Sequence, residues 1–391
     1  MNRILQSQAI SRRQFLQACG VGSGLILARP VLNVLSAKDS PTGPSLIVRE
    51  KDPFNAEPDL PGLVENWLTP VDRFFVRNHG NIPALDPSEF KLQIAGLVDS
   101  PLTLSLDELT RKFTSTSTTA TITCAGNRRS EFADPRIKGV PWQAGAIGNA
   151  EWSGVKLAEV LKAAGLKADA KHVWFVGSDQ VKHKDEMIPF GASIPIERVM
   201  ELQGDAVGVL LATTMNGRSL TPEHGAPLRA VTPGYIGARS VKWLRRIVVS
   251  DQPSSNHFVA HAYKIVEEDT LPIQEAAEPI YEYVLNSAIA TLARSNGQLR
   301  VSGYSLPSGK PNARIKGVEL STDGGLTWQA AKLDKQAGDF CWQLWKAEVA
   351  LPADDQRLLV RAIDSTALTQ PRTTPFNAKG YQYNSWHAVK F

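Results

Sequence analysis

The chain has 391 residues, enough for two or three domains each with its own core, and its 42% hydrophobic and 21% charged content is that of an ordinary globular protein. Its formal charge of +4 has one source: the first 37 residues carry four arginines (Arg3, Arg12, Arg13, Arg29) and no acids, so the remainder is balanced. No long basic run is present, which leaves nucleic-acid binding without its electrostatic footprint.

Residues 1–37 read as an export signal. Ser11-Arg12-Arg13-Gln14-Phe15-Leu16 is a twin-arginine motif, the apolar run Ala18–Ala28 follows, and Ser36-Ala37 offer a peptidase small residues. The run is too short to span a bilayer comfortably, so no stable membrane span is expected once the signal is removed. The twin-arginine route carries folded proteins, and the expected location is the periplasm. Residues 38–65, rich in Pro, Asp and Glu, predict an extended arm over the surface. A mixed region, 66–255, follows. Phe74–Val76 and Lys91–Ile94 read as short strands, and Ser105 with the acids Asp107 and Glu108 starts a helix. Val155, Leu157, Val160 and Leu161 predict a helix that Gly165 ends; His172–Val176 and Trp243–Val249 predict strands. Residues 256–279 connect this region to 280–391, where short alternating strands such as Val318–Ser321 and Leu358–Ala362, with a turn at Asp323-Gly324-Gly325, suggest an immunoglobulin-like sandwich. The fold class expected is α+β followed by a β-sandwich.

Beyond the leader the chain has only Cys124 and Cys341, which argues against a disulfide framework and a paired-cysteine zinc site; no Cys-x-x-Cys-His is present to attach a c-type haem. Cys124 opens the segment Cys124-Ala125-Gly126-Asn127-Arg128-Arg129. A thiol beside a Gly-Asn turn and two arginines fits either of two roles, a small buried cysteine near a surface basic pair or a thiolate favoured by that pair and able to bind a soft metal. Three further segments concentrate polar side chains: Arg77-Asn78-His79 after Phe74-Phe75-Val76, the stretch from His224 through Arg229 to Ser240-Val241-Lys242-Trp243, and Asn256–Lys264 with His257, His261 and Tyr263. No Gly-x-Ser-x-Gly nucleophile elbow occurs, and the Gly20–Gly24 run belongs to the leader rather than to a dinucleotide fingerprint.

Together these segments resemble the sulfite oxidase family of molybdenum enzymes. The resemblance rests on Cys-Ala-Gly-Asn-Arg-Arg at 124–129, Arg77-Asn78-His79 at the matching interval upstream, His224-Gly-x-Pro-x-Arg229, Gly-Ala-Arg-x-Val-Lys242-Trp243 and Tyr263-Lys264 in order, and it extends to Leu320–Trp328 and Asn384-x-Trp386-His387. It implies a molybdopterin-binding domain followed by an immunoglobulin-like dimerisation domain, with a molybdenum–molybdopterin cofactor. By the same resemblance Cys124 would be the thiolate ligand of the metal. Asn78, His79, His224, Arg229, Ser240 and Lys242 would hold the pterin and its phosphate, with Asp179 and Ser193 in segments similar to further pterin contacts. Arg77, Arg129 and Tyr263 would line a pocket for an anionic substrate. The activity implied is oxidation of sulfite to sulfate by oxygen-atom transfer, with electrons leaving to a separate acceptor, expected to be a periplasmic c-type cytochrome, and a homodimer as the assembly.

One position departs from the family pattern. Phe376-Asn377-Ala378-Lys379-Gly380 stands where animal and plant members have an arginine that completes the anion pocket, so Lys379 keeps the charge but not the bidentate fork. A related exported oxidoreductase acting on another sulfur compound or an S-oxide is therefore the alternative reading. A non-catalytic exported binding protein accounts for the sandwich but not for the cysteine–arginine constellation.

Overall fold

The computed structural model describes residues 46–200, 208–335, 338–350 and 357–390. The twin-arginine leader and the start of the arm lie outside these residues. The described part of the arm is more than extended chain. Ile47–Glu50 and Asn55–Glu57 pair antiparallel, and a single helical turn, Leu60–Leu63, follows with Asp59 as its cap. Asn55, Ala56 and Glu57 are fully buried. A buried carboxylate needs partners, and Glu57 has them: it accepts from the backbone N–H groups of Gln143 and Gly145, each at 2.8 Å, and from Arg49 Nε. The arm thereby straps the loop that follows Val140 to the body of the protein.

Two sheets build the first domain. One is ordered Gly191–Pro195, His172–Gly177, Leu244–Ser250, Lys91–Gly96, Leu102–Ser105, with only the Leu244–Ser250 and Lys91–Gly96 pair parallel. Leu92, Ile94, Val173, Phe175, Ile247 and Val249 supply its buried side by alternation. The other runs Arg218–Ser219, Leu210–Met215, Ile147–Lys156, Ser115–Thr123, and Arg229–Val231 also pairs with Leu210–Met215. The expected helices are present. Ser105 and Glu108 form a reciprocal capping box at the start of Leu106–Lys112, and Gly165, at φ 73°, closes Leu157–Ala164. That second helix starts two residues later than its apolar spacing suggests, because Val155 and Lys156 are held in a strand by pairing with Leu211 and Leu210. Phe74–Val76 likewise is not a strand; after the turn Val71–Arg73 only Val76 pairs, with Ala56 of the arm.

Between the domains, 256–279 holds two short helical segments, His257–Ala260 and Leu271–Ala276. The second domain is a sandwich of two four-stranded sheets. One is ordered Asn286–Ser295, Gln298–Leu306, Gln343–Ala350, Lys332–Leu333, the other Gln329–Ala330, Ile315–Ser321, Arg357–Asp364, His387–Lys390. Val301, Val318, Leu320, Trp345, Val349, Leu358 and Val360 fill it. The turn after Ile315–Ser321 is pinned by Asp323, whose carboxylate accepts from the backbone N–H of Leu326 and Thr327. Tyr283, Tyr304, Leu306 and Trp342 of this domain lie in the same apolar cluster as Leu228, Ile236 and Ala125 of the first, so the two domains share a core. No helix among the described residues is long and apolar enough to cross a membrane.

Candidate active site

Asn55 of the arm organises the Arg77-Asn78-His79 segment. Its Oδ1 accepts from the Asn78 backbone N–H at 2.7 Å and from Arg77 Nη1 at 3.2 Å, while Asn78 Nδ2 donates to Phe54 O at 2.8 Å. His79 stacks on Phe190 with ring centroids 4.7 Å apart and meets the Tyr263 hydroxyl at 2.9 Å from Nε2. Burial, aided by the charges of Arg77 and Lys242, drives its pKa well below the ordinary value, so the ring is neutral at pH 7. Tyr263 itself sits at φ 50°, a backbone state that a bulky residue adopts only under constraint; Ile280 N donates to its carbonyl at 2.8 Å.

Cys124 ends the strand Ser115–Thr123. Its backbone N–H donates to Ala146 O at 2.9 Å and its sulfur accepts from the Gly126 N–H at 3.4 Å. The two arginines that follow diverge. Arg128, at φ 65°, turns away from the thiol and is wholly buried against the sandwich, donating to Asn286 Oδ1, Ser287 O and Ser385 O and pairing with Glu131 at 2.6 Å. The idea of a cationic pair beside the sulfur is therefore corrected to one guanidinium. Arg129 folds back over the turn: a Cβ on Gly126 would stand 2.6 Å from its Nη2. That glycine makes room for Arg129 rather than for a ligand. Arg129 Nε donates to Lys379 O and Gly380 O at 3.1 and 3.3 Å, and Nη1 to Val140 O at 3.0 Å, which leaves the Nη2 edge unused by these bonds.

The stretch from His224 to Trp243 supplies buried cations. Arg229 donates only to carbonyls, His224 O at 3.0 Å and Ser240 O at 3.1 Å among them, and faces the Trp152 ring at 4.8 Å; burial pushes its pKa down to about 9. Lys242 bonds Asn78 Oδ1 and, at 2.8 Å, Glu223 O, and burial followed by Arg229 takes its pKa well below normal. His224 donates from Nε2 to Val71 O at 2.9 Å, which fixes the tautomer, and burial lowers its pKa to about 4. Among the described residues neither Arg229, Lys242, Arg77 nor Arg129 forms an ion pair. Asp179 is buried with Oδ1 lacking a hydrogen-bond partner, and desolvation raises its pKa to about 6.

One cavity gathers most of this. Arg77, Asn78, His79, Cys124, Asp179, His224, Arg229, Ser240, Lys242 and Tyr263 all line it. Three expected residues stand off. Ser193 is fully buried on Gly191–Pro195 and its hydroxyl has no partner; Arg129 covers the cysteine turn; the Lys379 ammonium pairs with Asp269. Sequence reasoning missed Asn55 and Tyr381. Tyr381 stacks on Tyr263 at 5.2 Å and 11° and also faces the Arg129 guanidinium at 5.2 Å. Only the proximity of Tyr381 to Lys379 in sequence could have drawn attention to it. The cavity thus presents a thiol, three cations without carboxylate partners (Arg77, Arg229 and Lys242), an orphaned acid and neutral imidazoles, with Arg129 close behind the thiol: a donor-rich site suited to an anionic ligand bearing polar edges.

Comparison with known proteins agrees. The family described as Oxidoreductase molybdopterin binding domain matches residues 79–258, and the Mo-co oxidoreductase dimerisation domain matches 277–391. The chain is 39% identical to sulfite oxidase of Gallus gallus over 90% of its own length and 79% of that protein's. It is 35% identical to sulfite oxidase of Arabidopsis thaliana, covering 90% and 95%. Mitochondrial sulfite oxidase of Homo sapiens is 39% identical, with 90% and 67% covered. Among solved structures, the sulfane dehydrogenase SoxCD from Paracoccus pantotrophus superposes with a TM-score of 0.74 at 28% identity, covering 87% of this chain and 84% of that one.

Proposed function

The chain belongs to the sulfite oxidase family of molybdopterin oxidoreductases, and from that premise we propose that it oxidises sulfite to sulfate, with water as oxygen source and two electrons passed to a separate acceptor. Its cofactor is molybdenum–molybdopterin. The cavity fits that group: Arg229 and Lys242 are buried cations that lack an anion, Asp179 Oδ1 is an acceptor that lacks a donor, and Cys124 offers a soft thiolate. In our reading Cys124 ligates the metal, Arg229, Lys242 and Ser240 hold the phosphate, and Asn78, His79, His224 and Asp179 meet the pterin edge. The single observation that carries this assignment is the convergence of a thiol and uncompensated buried cations on one cavity.

When bound, the molybdenum centre supplies the oxygen-atom transfer and the two-electron redox change. The protein's own groups supply orientation and charge. Arg77, braced by Asn55, and the unused edge of Arg129 draw a sulfur oxyanion to the cavity and orient its oxygens. The Tyr263 hydroxyl, held 2.9 Å from a neutral His79, donates to the oxyanion without bringing a further charge. The Phe190 and Phe258 rings pack against His79 and limit water on that side. Export by the twin-arginine segment supports work in the periplasm, and a c-type cytochrome there suits an enzyme whose 391 residues hold no haem-attachment motif. The match of 277–391 to a dimerisation domain supports a homodimer.

The capture of Lys379 by Asp269 favours one alternative, a sulfur substrate other than sulfite, since that ammonium is not among the groups lining the cavity. Molybdenum-loaded protein assayed for sulfite-dependent reduction of ferricyanide and of cytochrome c decides between them. Turnover with both acceptors is expected; bound molybdenum without sulfite turnover would move the substrate to another sulfur compound.

A further inference from the structure

Two segments meet beside the cavity, 263–276 and 377–382, and they are joined at three places. Tyr263 stacks on Tyr381, Val266 O accepts from the Ala378 N–H at 2.8 Å, and Lys379 Nζ pairs with Asp269 Oδ1. The third contact is built from both sides. Gln274, buried on Leu271–Ala276, donates from Nε2 to the same Asp269 oxygen, and Gln274 O in turn accepts from the buried Lys264 Nζ at 2.7 Å. Asp269 is thus presented to Lys379 by a fixed partner.

Lys379 occupies a position from which its charge matters. Its carbonyl holds Arg129, and its ammonium is close enough to His257 to contribute, after burial and the rings of His183 and His261, to that imidazole's lowered pKa of about 4. His257 precedes Phe258, whose ring packs on the cavity residue His79 with centroids 4.6 Å apart. Lys379 therefore stands near the rim, with His257 and Phe258 between its ammonium and the lining residue His79.

Resting on the anion-binding reading above, we propose that Asp269 is a specificity-determining positioning residue: by pairing with Lys379 it withholds an ammonium from the cavity mouth and sets a lower affinity for oxyanions than the uncaptured lysine would give. Released, the lysine adds a cation within reach of an entering dianion. With the Asp269 carboxylate half exposed, screening limits the effect to a modest factor.

The test is calorimetric titration of sulfate, an inert tetrahedral dianion, into molybdenum-loaded full-length protein at low ionic strength, for wild type, Asp269→Asn, Lys379→Met and the double variant, with sulfite KM and kcat measured alongside. Asparagine keeps an oxygen to accept from Gln274, so the segment retains its anchor. Asp269→Asn should bind sulfate about three- to tenfold more tightly and lower the sulfite KM by a similar factor, with kcat within about twofold. In the Lys379→Met background the same change should do nothing. Unchanged or weaker sulfate binding in Asp269→Asn, undetectable sulfate binding in both wild type and Asp269→Asn, or tightening that persists without Lys379, would overturn the proposal. A protein that binds sulfate in this pattern yet fails to turn over sulfite would retain the proposal and discard sulfite as substrate.

Discussion

Asp179 carries an acid into a place where the cofactor-free fold gives it too few donors. Its folded pKa of about 6 lies above the 3.8 of an exposed aspartate, so the native state prefers the proton. Stability from this group is complete below the unfolded value and is lost as pH rises toward and through about 6, by about 3 kcal/mol at 1.36 kcal/mol per pKa unit. Asp179→Asn in cofactor-free protein should therefore match wild type near pH 4 and be more stable at pH 7.5, read as a melting temperature that diverges across that window. Bound molybdopterin should narrow the gap by supplying the missing donor. At this scale the sequence yields residue types but not directions. Cys124, Arg77, Arg229, Lys242 and Tyr263 announce their chemistry through rare neighbours, and the structure brings them to one cavity. Arg128 and Gly126 read locally as partners of the thiol, yet one answers to Glu131 and Asn286, far along the chain or across the turn, and the other to the bulk of Arg129. Which way an arginine points depends on acceptors that its own neighbours in sequence do not reveal.

Local signals fixed the elements that need only local partners. Ser105 and Glu108 complete each other's hydrogen bonds within one helical turn, and Gly165 supplies the left-handed residue that ends another helix, so both boundaries were legible. Val155-Lys156 and Phe74–Val76 were misread because their state is decided by distant chain: Leu210 and Leu211 in one case, Ala56 of the arm in the other. The segment 377–382 was opaque for the same reason. It has no regular structure, yet Asn377 clamps Tyr381 by two bonds, at 2.9 and 3.0 Å, so that its ring can lie flat on Tyr263 and face Arg129. Tyr381→Leu keeps the volume roughly apolar and removes both ring contacts, each of order 1 kcal/mol. Sulfite kcat/KM should fall about tenfold while molybdenum content is retained; an unchanged kcat/KM would show that Tyr263 and Arg129 are held in place without it.

Across the whole molecule, the order of domains was readable from the change from mixed elements to alternating strands, but their shared core was not. Arg128 is the clearest joint. Wholly buried, it satisfies carbonyl and amide oxygens of the sandwich from within the cysteine turn. Arg128→Ala would take from Asn286 Oδ1 and Ser287 O this donor and from Glu131 its guanidinium, while Ser385 O keeps Gln370 Nε2; at about 3 kcal/mol or more, it should lower both the melting temperature and the molybdenum content of purified protein. Loss of stability with full metal content would separate the joint from the site. The same region also fixes an order in time. Asn127 donates to Tyr304 at 3.1 Å, Arg129 is seated by carbonyls some 250 residues further on, and Ala125 O accepts from Gln382 N at 2.6 Å. Chains are made from the N-terminus and their domains fold as units. During translation the cysteine turn emerges long before the residues that shape it, so a nascent chain holds an unfinished receptacle. A chain arrested before residue 379 would keep every residue that lines the cavity but lack the partners that seat Ala125 and Arg129, so its cysteine turn would be present in sequence and unset in shape.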